Sequence, residues 1–324
     1  MNKIFLLFLL CSQVFSQTTL GDALEDYNEN LNTITTAVPF LTIAPDSRSG
    51  AMGDLGVATT PDVYSLHWNS AKLAFLPKGG SFAISYTPWL SNLVPDISLS
   101  YLSGYYKLNK ISTIAGSLRY FSLGNVQFTG DDGEFIGEYD PNEYVFDIGY
   151  SMKLSDNFSA GLVMKYIYSN LTGGMMVEGF STQAGQSFAV DLGTYYESKK
   201  FKLNEYESQW ATGLNISNIG GKISYTESGD EDFLPMNLRI GARLSTEIDD
   251  YNRFMLAFDI NKLLVPSPPV YDGSGDDEPE NIIAGRNPNV GVVQGIFQSF
   301  SDAPGGIDEE FNELMYSVGG EYWY

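Results

Sequence analysis

From Ser81 to the end of the chain one device recurs: about ten residues in which apolar and polar side chains alternate, and then a break. Residues 237–245, NLRIGARLS, show it plainly. Leu238, Ile240, Ala242 and Leu244 fall on one side of an extended chain, and Asn237, Arg239, Gly241, Arg243 and Ser245 fall on the other, because successive side chains of a strand point to opposite faces. A soluble sandwich would turn the greasy face inward, whereas a membrane barrel would turn it to lipid and keep the arginines in a wet lumen. Alternation alone leaves both folds open.

Ten such segments can be read. Their apolar faces are Phe82, Ile84 and Tyr86; Ile97, Leu99, Tyr101 and Tyr105; Ile114, Leu118 and Tyr120; Tyr144, Phe146, Ile148 and Tyr150; Phe158, Ala160, Leu162, Met164 and Tyr166. Then come Phe188, Val190, Leu192 and Tyr196; Trp210, Leu214 and Ile216; Leu238, Ile240 and Leu244; Phe254, Leu256, Phe258 and Ile260; and Leu314, Tyr316, Val318, Tyr322 and Tyr324. The opposite faces are small or polar, as in Thr113, Ser117 and Arg119 or Gly213, Asn215 and Ser217. The connections separate the two folds better. Short turns (107–110, 153–157, 198–207, 246–252) take turns with long acidic loops (124–143, 170–186, 219–235, and Val265 to Glu310). An outer-membrane barrel has this asymmetry, with short periplasmic turns and long outer loops, and Tyr105, Tyr106, Tyr166, Tyr168, Tyr195 and Tyr196 suit its aromatic girdles. The expected class is therefore all-β, a transmembrane antiparallel β-barrel. Leu238, Ile240 and Leu244 then face lipid, since arginines turned to lipid at mid-depth would cost roughly 2–4 kcal/mol each.

The chain opens MNKIFLLFLLCSQVFSQ, a positive start and a short apolar run ending in small residues, which reads as a signal peptide over residues 1–16. Its apolar run is too short to span a bilayer as a helix. Cys11 is the only cysteine, so removal of the leader leaves no disulfide, thiolate metal site or cysteine nucleophile. With 40 acidic against 18 basic residues and a net charge of −22, the chain is a poor partner for nucleic acid.

Residues 17–80 lack the strand pattern, and the wall is expected over 81–324. Glycines 50, 53 and 56 fall at three-residue spacing, but no strand precedes them and no GKS or GKT follows, so a phosphate loop is not indicated. The run RSGAMGDLGVATTPDVYSLHWNSAKLA instead resembles the N-terminal hatch of FadL-like barrels, matching it at Arg48, Ala51, Met52, Gly53, Gly56, Val57, Ala58, Asp62, Asn69 and Ala71, with Ser70 in place of the usual proline. Within that superfamily, FLTIAPDSRSGAMGDLGVAT and the acidic-loop barrel behind it resemble the PorV family of type IX secretion system outer-membrane proteins. The resemblance implies fourteen strands where about ten are visible, and hence a C-terminally incomplete barrel. It also implies a secretion component that binds exported cargo by a C-terminal signal domain at a large translocon barrel and passes it to a surface attachment and sortase complex. Its place would be the outer membrane, with loops at the cell surface.

The candidate residues fall in three groups. The hatch motif is Arg48, Met52, Gly53, Gly56, Asp62 and Asn69. A lumen polar network is expected from Arg119, Asp147, Lys165, Asp191, Arg239, Arg243 and Asp259, with Arg253 and Glu321 also inward. Apolar residues set into the acidic loops, Phe128, Phe135, Met175, Met176, Phe180, Phe233, Phe297 and Phe300, either contact cargo and translocon or fold over the mouth and pack on one another. His67 is the only histidine, which leaves a Ser-His-Asp lipase without a supporting motif. DGSGDDEPE, from Asp272, has an aspartate where an EF-hand needs glycine. No cofactor, metal or enzymatic activity is expected, and the only other partner is membrane lipid. The rival reading is a FadL-type channel for hydrophobic small molecules.

Overall fold

The structure is a computed structural model that describes residues 33–324 apart from 90, 91, 93, 95, 130–132, 175, 178–179, 227–230 and 273–278. The chain divides into two units between Ile34 and Thr35. Only residues 33 and 34 of the first are described, and every described strand and turn belongs to the second, Thr35–Tyr324. The expected leader lies outside the described residues.

Ten long antiparallel strands run in chain order through one eleven-stranded sheet: β1 Gly80–Pro88, β2 Ser98–Lys107, β3 Ser112–Ser122, β4 Asn142–Lys153, β5 Phe158–Asn170, β6 Gly185–Glu197, β7 Tyr206–Gly220, β8 Asn237–Glu247, β9 Arg253–Leu263 and β10 Met315–Trp323, the eleventh being the short Phe201–Leu203, which pairs with β7. Every strand pairs with its sequence neighbour, the pattern of an up-and-down wall built from hairpins. No pairing joins β1 to β10 among the described residues. No helix is long and apolar enough to cross a membrane, which says nothing of strands.

The wall turns its greasy face outward. Phe82, Ile84, Ile148, Met164 and Phe188 are each more than half exposed, while Ser117, Asp147, Ser151, Asp191 and Asp259 are buried. This inverts a soluble fold and is what a bilayer requires. In β8 Ile240 and Leu244 are exposed and Arg243 is buried.

Two expectations about facing fail. In β2 the exposed side chains are Leu102 and Tyr106, whereas Leu99 and Tyr101 are buried inside. Both faces of that strand are apolar, so alternation could not choose between them. Tyr195 is likewise fully buried, under Phe75 at 5.3 Å. Neighbouring residues of a strand face opposite ways, so Tyr195 and Tyr196 could not both belong to an outer girdle.

Residues 35–79 run through the space the sheet encloses. They form short helical segments: a 3-10 turn at Pro39–Thr42, α1 Ser47–Gly50, α2 Ser65–Trp68 and a 3-10 helix at Ser70–Phe75. The sheet curls around them. Ser103 of β2 donates to Val63 O, Thr113 of β3 to Leu73 O and Ser159 of β5 to Ala71 O, while Gly56 N donates to Asp259 of β9. The filling is layered. At the long-loop end, Val38, Phe40 and Leu41 pack on Leu99, Phe121, Val145 and Ile167, with Phe40 stacked on Phe121 at 5.9 Å. At the turn end Leu66, Leu73 and Leu76 meet Ala115 and Val163. Charge occupies the middle.

Candidate functional site

The hatch is fastened to the wall through its own motif. Asp46 caps α1 by accepting from Ser49 N at 2.9 Å, and its other oxygen accepts from Trp68 Nε1 at 2.7 Å. Arg48 grips Glu321 of β10 with two donors, Nε to Oε1 at 2.9 Å and Nη2 to Oε2 at 2.8 Å, and reaches Asp62 Oδ2 at 2.7 Å. Such a bidentate pair fixes orientation as well as distance. Asp62 in turn accepts from Tyr64 N and Ser65 Oγ, which starts α2. Met52 packs with Leu55 against Met255 and Ala257 of β9. Gly53 sits at φ 74°, in the left-handed region that glycine enters without strain. Gly56 lies flat under the Trp68 ring, where any Cβ would collide. Asn69, fully buried, donates to Val57 O at 3.0 Å and to Thr194 O of β6 at 2.9 Å, and accepts from Ala71 N.

Gly161 leaves space for the backbone that follows Asn69, because a Cβ there would lie 2.5 Å from Ala71 N and 2.7 Å from the Ser70 carbonyl carbon. The small residues of the inner wall are thus contact positions for hatch backbone. The alternation marked them as small and could not show what they face.

The lumen network forms, with pairings that differ from simple charge matching. Lys165 and Asp191 make an ion pair at 2.8 Å, and Asn218 joins both, its side chain accepting from Lys165 and its N–H donating to Asp191 at 2.7 Å. Asn218 is left-handed, φ 61°, beside a register shift at Val190/Leu192. Arg119 meets no carboxylate directly. It donates to Leu41 O at 2.9 Å and to His67 Nδ1, and its guanidinium lies over Tyr101. Asp147 accepts from Ser117 Oγ at 2.6 Å instead. Arg239 stacks on Trp68 at 4.6 Å and donates to Asp54 O at 2.9 Å and to Asn261. Arg243 pairs with Glu197 and donates to Tyr195. Asp259 accepts from Gly56 N at 2.9 Å and Val57 N at 3.1 Å. Arg253 stands on the inward row of β9 with Met255 and Asp259, but at the turn end, where it is exposed and pairs with Glu247. Glu321 faces inward, where it receives Arg48.

Two hatch groups that carried no expected role stand out. Lys72 is fully buried, donating to Gly56 O at 2.7 Å and Thr59 Oγ1 at 2.9 Å, and burial brings its ammonium down to about 8. His67 is held well below the usual imidazole range by burial and by Arg119, Lys165 and Arg239. It is neutral at physiological pH and accepts from Arg119, so its surroundings are cationic where a catalytic triad would place an acid. Beside it lies a small cavity of about 40 Å³, lined by Trp68, Lys165, Asn218 and Arg239 among others. A larger cavity of about 690 Å³ lies between hatch residues 42–54 and β1, β8, β9 and β10. Among the described residues no cluster of three or more His, Cys, Asp or Glu side chains is placed to hold a metal ion.

The loop residues do not form one surface. Phe135, Met176, Phe297 and Phe300 are half or more exposed, and Phe128 is half-buried in a hairpin of Val126–Thr129 with Phe135–Tyr139. Phe233 is a correction: it is buried, Lys222 lies over its ring, and its carbonyl accepts from Ala37 N at 2.9 Å. With Leu234, which joins the Phe40 cluster, it folds over the hatch. Met175 and the side chain of Phe180 lie outside the described residues, as does most of the DGSGDDEPE run.

A family model described as "Type IX secretion system protein PorV" matches residues 26–270. No curated protein matches the chain. Among solved structures, the chain is similar to a crystal structure of the Pseudomonas putida toluene transporter TodX, with 14% identity over 66% of this chain and 69% of that one and a TM-score of 0.40. A second structure of that transporter gives 14% identity, the same coverage of both chains and a TM-score of 0.37. The family match takes in the hatch and the wall from β1 to β9, most of the chain, and on it this chain belongs to the PorV family of type IX secretion system proteins.

Proposed function

We propose that this outer-membrane member of the type IX secretion system binds exported proteins through their C-terminal signal domain at the translocon and passes them to a surface attachment complex. The long loops face the cell exterior, and Phe135, Met176 and Phe297 supply apolar contacts within an acidic rim. The observation that carries the reading is the hatch bolted across the lumen by Arg48, Asn69 and Asp259. A wall so filled works by what it presents at its mouth, not by what passes through it.

The test is a mild-detergent pull-down of the tagged full-length chain from native outer membranes, with and without Phe135, Met176 and Phe297 changed together to Asp. Recovery of a very large barrel protein and of secreted proteins sharing a C-terminal domain, lost in the triple variant, supports the proposal. Equal recovery in both removes the role of these three residues. The 690 Å³ cavity beside the hatch favours one rival, a carrier of small hydrophobic molecules. Recovery of the chain alone with bound hydrocarbon would replace the secretion reading with it.

A further inference from the structure

The last long loop does not stand clear of the wall. It carries two short helices, α3 Val292–Gln298 and α4 Ile307–Asn312, and α4 leans against the outward faces of β8 and β9. Between them runs a groove of about 370 Å³. Its floor is Leu238, Ile240 and Ile260, where Ile240 pairs directly with Ile260 across the strands. Its other side is Phe300, Ile307, Phe311 and Leu314. Only Lys262 and Glu310 are polar there.

We infer that this groove takes an acyl chain of a membrane lipid. The floor belongs to the same outward rows as Leu244, Leu256 and Phe258, which face the membrane, so the groove is continuous with the lipid boundary. Hydrocarbon is already its neighbour. The loop side remains bare, with Ile307 72% and Phe311 59% exposed, and contiguous apolar surface of this kind marks a contact site. The polar end is already satisfied. Lys262 donates to Glu310 at 2.9 Å and to Glu313 at 2.7 Å, Glu310 also accepts from Asp302 N and Ala303 N, and Glu313 accepts from Ser267 Oγ. These bonds pin α4 to the wall and pair both charged residues of the groove lining with each other. Recognition is therefore of the chain alone, and lipids of different headgroup bind alike. Because β8 begins and β9 ends at the long-loop side, the lipid belongs to the outer leaflet, an assignment that rests on the proposed exterior position of the long loops.

The experiment places a bimane fluorophore on Phe311→Cys, and separately on Ile307→Cys, in the full chain carrying Cys11→Ser, reconstituted in phosphatidylcholine nanodiscs. Quenching by lipid with brominated acyl chains is compared with Met164→Cys on the open wall and Phe135→Cys in an exposed loop. The expected result is lipid quenching at both groove sites within about twofold of that at Met164, and iodide quenching at Phe135 alone. Iodide quenching at the groove sites, with Met164 still quenched by lipid, would overturn the inference and leave the membrane wall and the secretion reading intact. Loss of lipid quenching at Met164 too would instead refute the membrane-facing wall.

Discussion

Changing Asp259 to Ala tests the fastening of the hatch at its most buried point. Asp259 is fully buried, and one of its oxygens accepts from both Gly56 N and Val57 N. Hydrogen bonds to a charged group contribute about 1.5–3 kcal/mol each, and a buried donor left unpaired loses its desolvation as well. Removing the carboxylate strands two amides and deprives Arg239 and Lys72 of nearby negative charge. The cost to the closed hatch is roughly 3–6 kcal/mol. The strand ladder β8–β9–β10 uses backbone groups, so the wall stays folded. Local opening of the 55–58 segment then becomes about two to four orders of magnitude more frequent, since each 1.4 kcal/mol is tenfold. Hydrogen-exchange mass spectrometry on the reconstituted chain reads this directly, with wall peptides as the internal control. Asp259→Asn, which keeps one acceptor, falls between the two. Hatch exchange that rises less than tenfold in the Ala variant would refute the reasoning, and it would place the fastening in the other hatch contacts, Arg48 and Asn69 among them.

The other hatch contacts have measurable consequences of their own. Lys72 has its ammonium lowered to about 8 from the usual 10.5, so the unfolded chain holds the proton more tightly. Between about pH 8 and 10.5 hatch stability therefore rises with pH, by up to roughly 3 kcal/mol, and it is flat below. Hatch protection corrected for intrinsic exchange should show the rise, and Lys72→Met should abolish it. Gly161→Ala pushes a methyl group against Ser70 and Ala71 backbone and should cost roughly 1–3 kcal/mol. Gly116→Ala, whose Cβ meets Asp147 O at an ordinary 3.5 Å, should leave thermal unfolding unchanged, and equal effects of the two would argue against a tight hatch contact at Gly161.

The sequence by itself determined the wall. Period-two alternation is a local property, so the outward rows from Ile114 to Leu256 and the inward Asp147, Lys165, Asp191 and Asp259 could be read from neighbours alone. The hatch motif was equally legible, because Gly53 answers to its own backbone conformation and Gly56 to the Trp68 ring, which belongs to the same continuous run of the chain. Where both faces of a strand are apolar, as at Leu99 and Leu102, the local signal vanishes and the packed Phe40 decides. Pairings lay further out of reach. Arg119 finds His67 and hatch carbonyls, Asp147 finds Ser117, and Asp191 finds Asn218 through a register shift, because partners in the lumen depend on strand stagger and on the path of a chain segment far away in sequence. The loops show the same division. Phe233 and Phe300 look alike in acidic surroundings, yet one caps the hatch and the other lines a groove on the outer wall. Phe233 is held by Ala37 and Lys222, and the loop of Phe300 by Lys262 with Glu310 and Glu313, a contact between β9 and a loop some fifty residues on, which only the folded chain brings together.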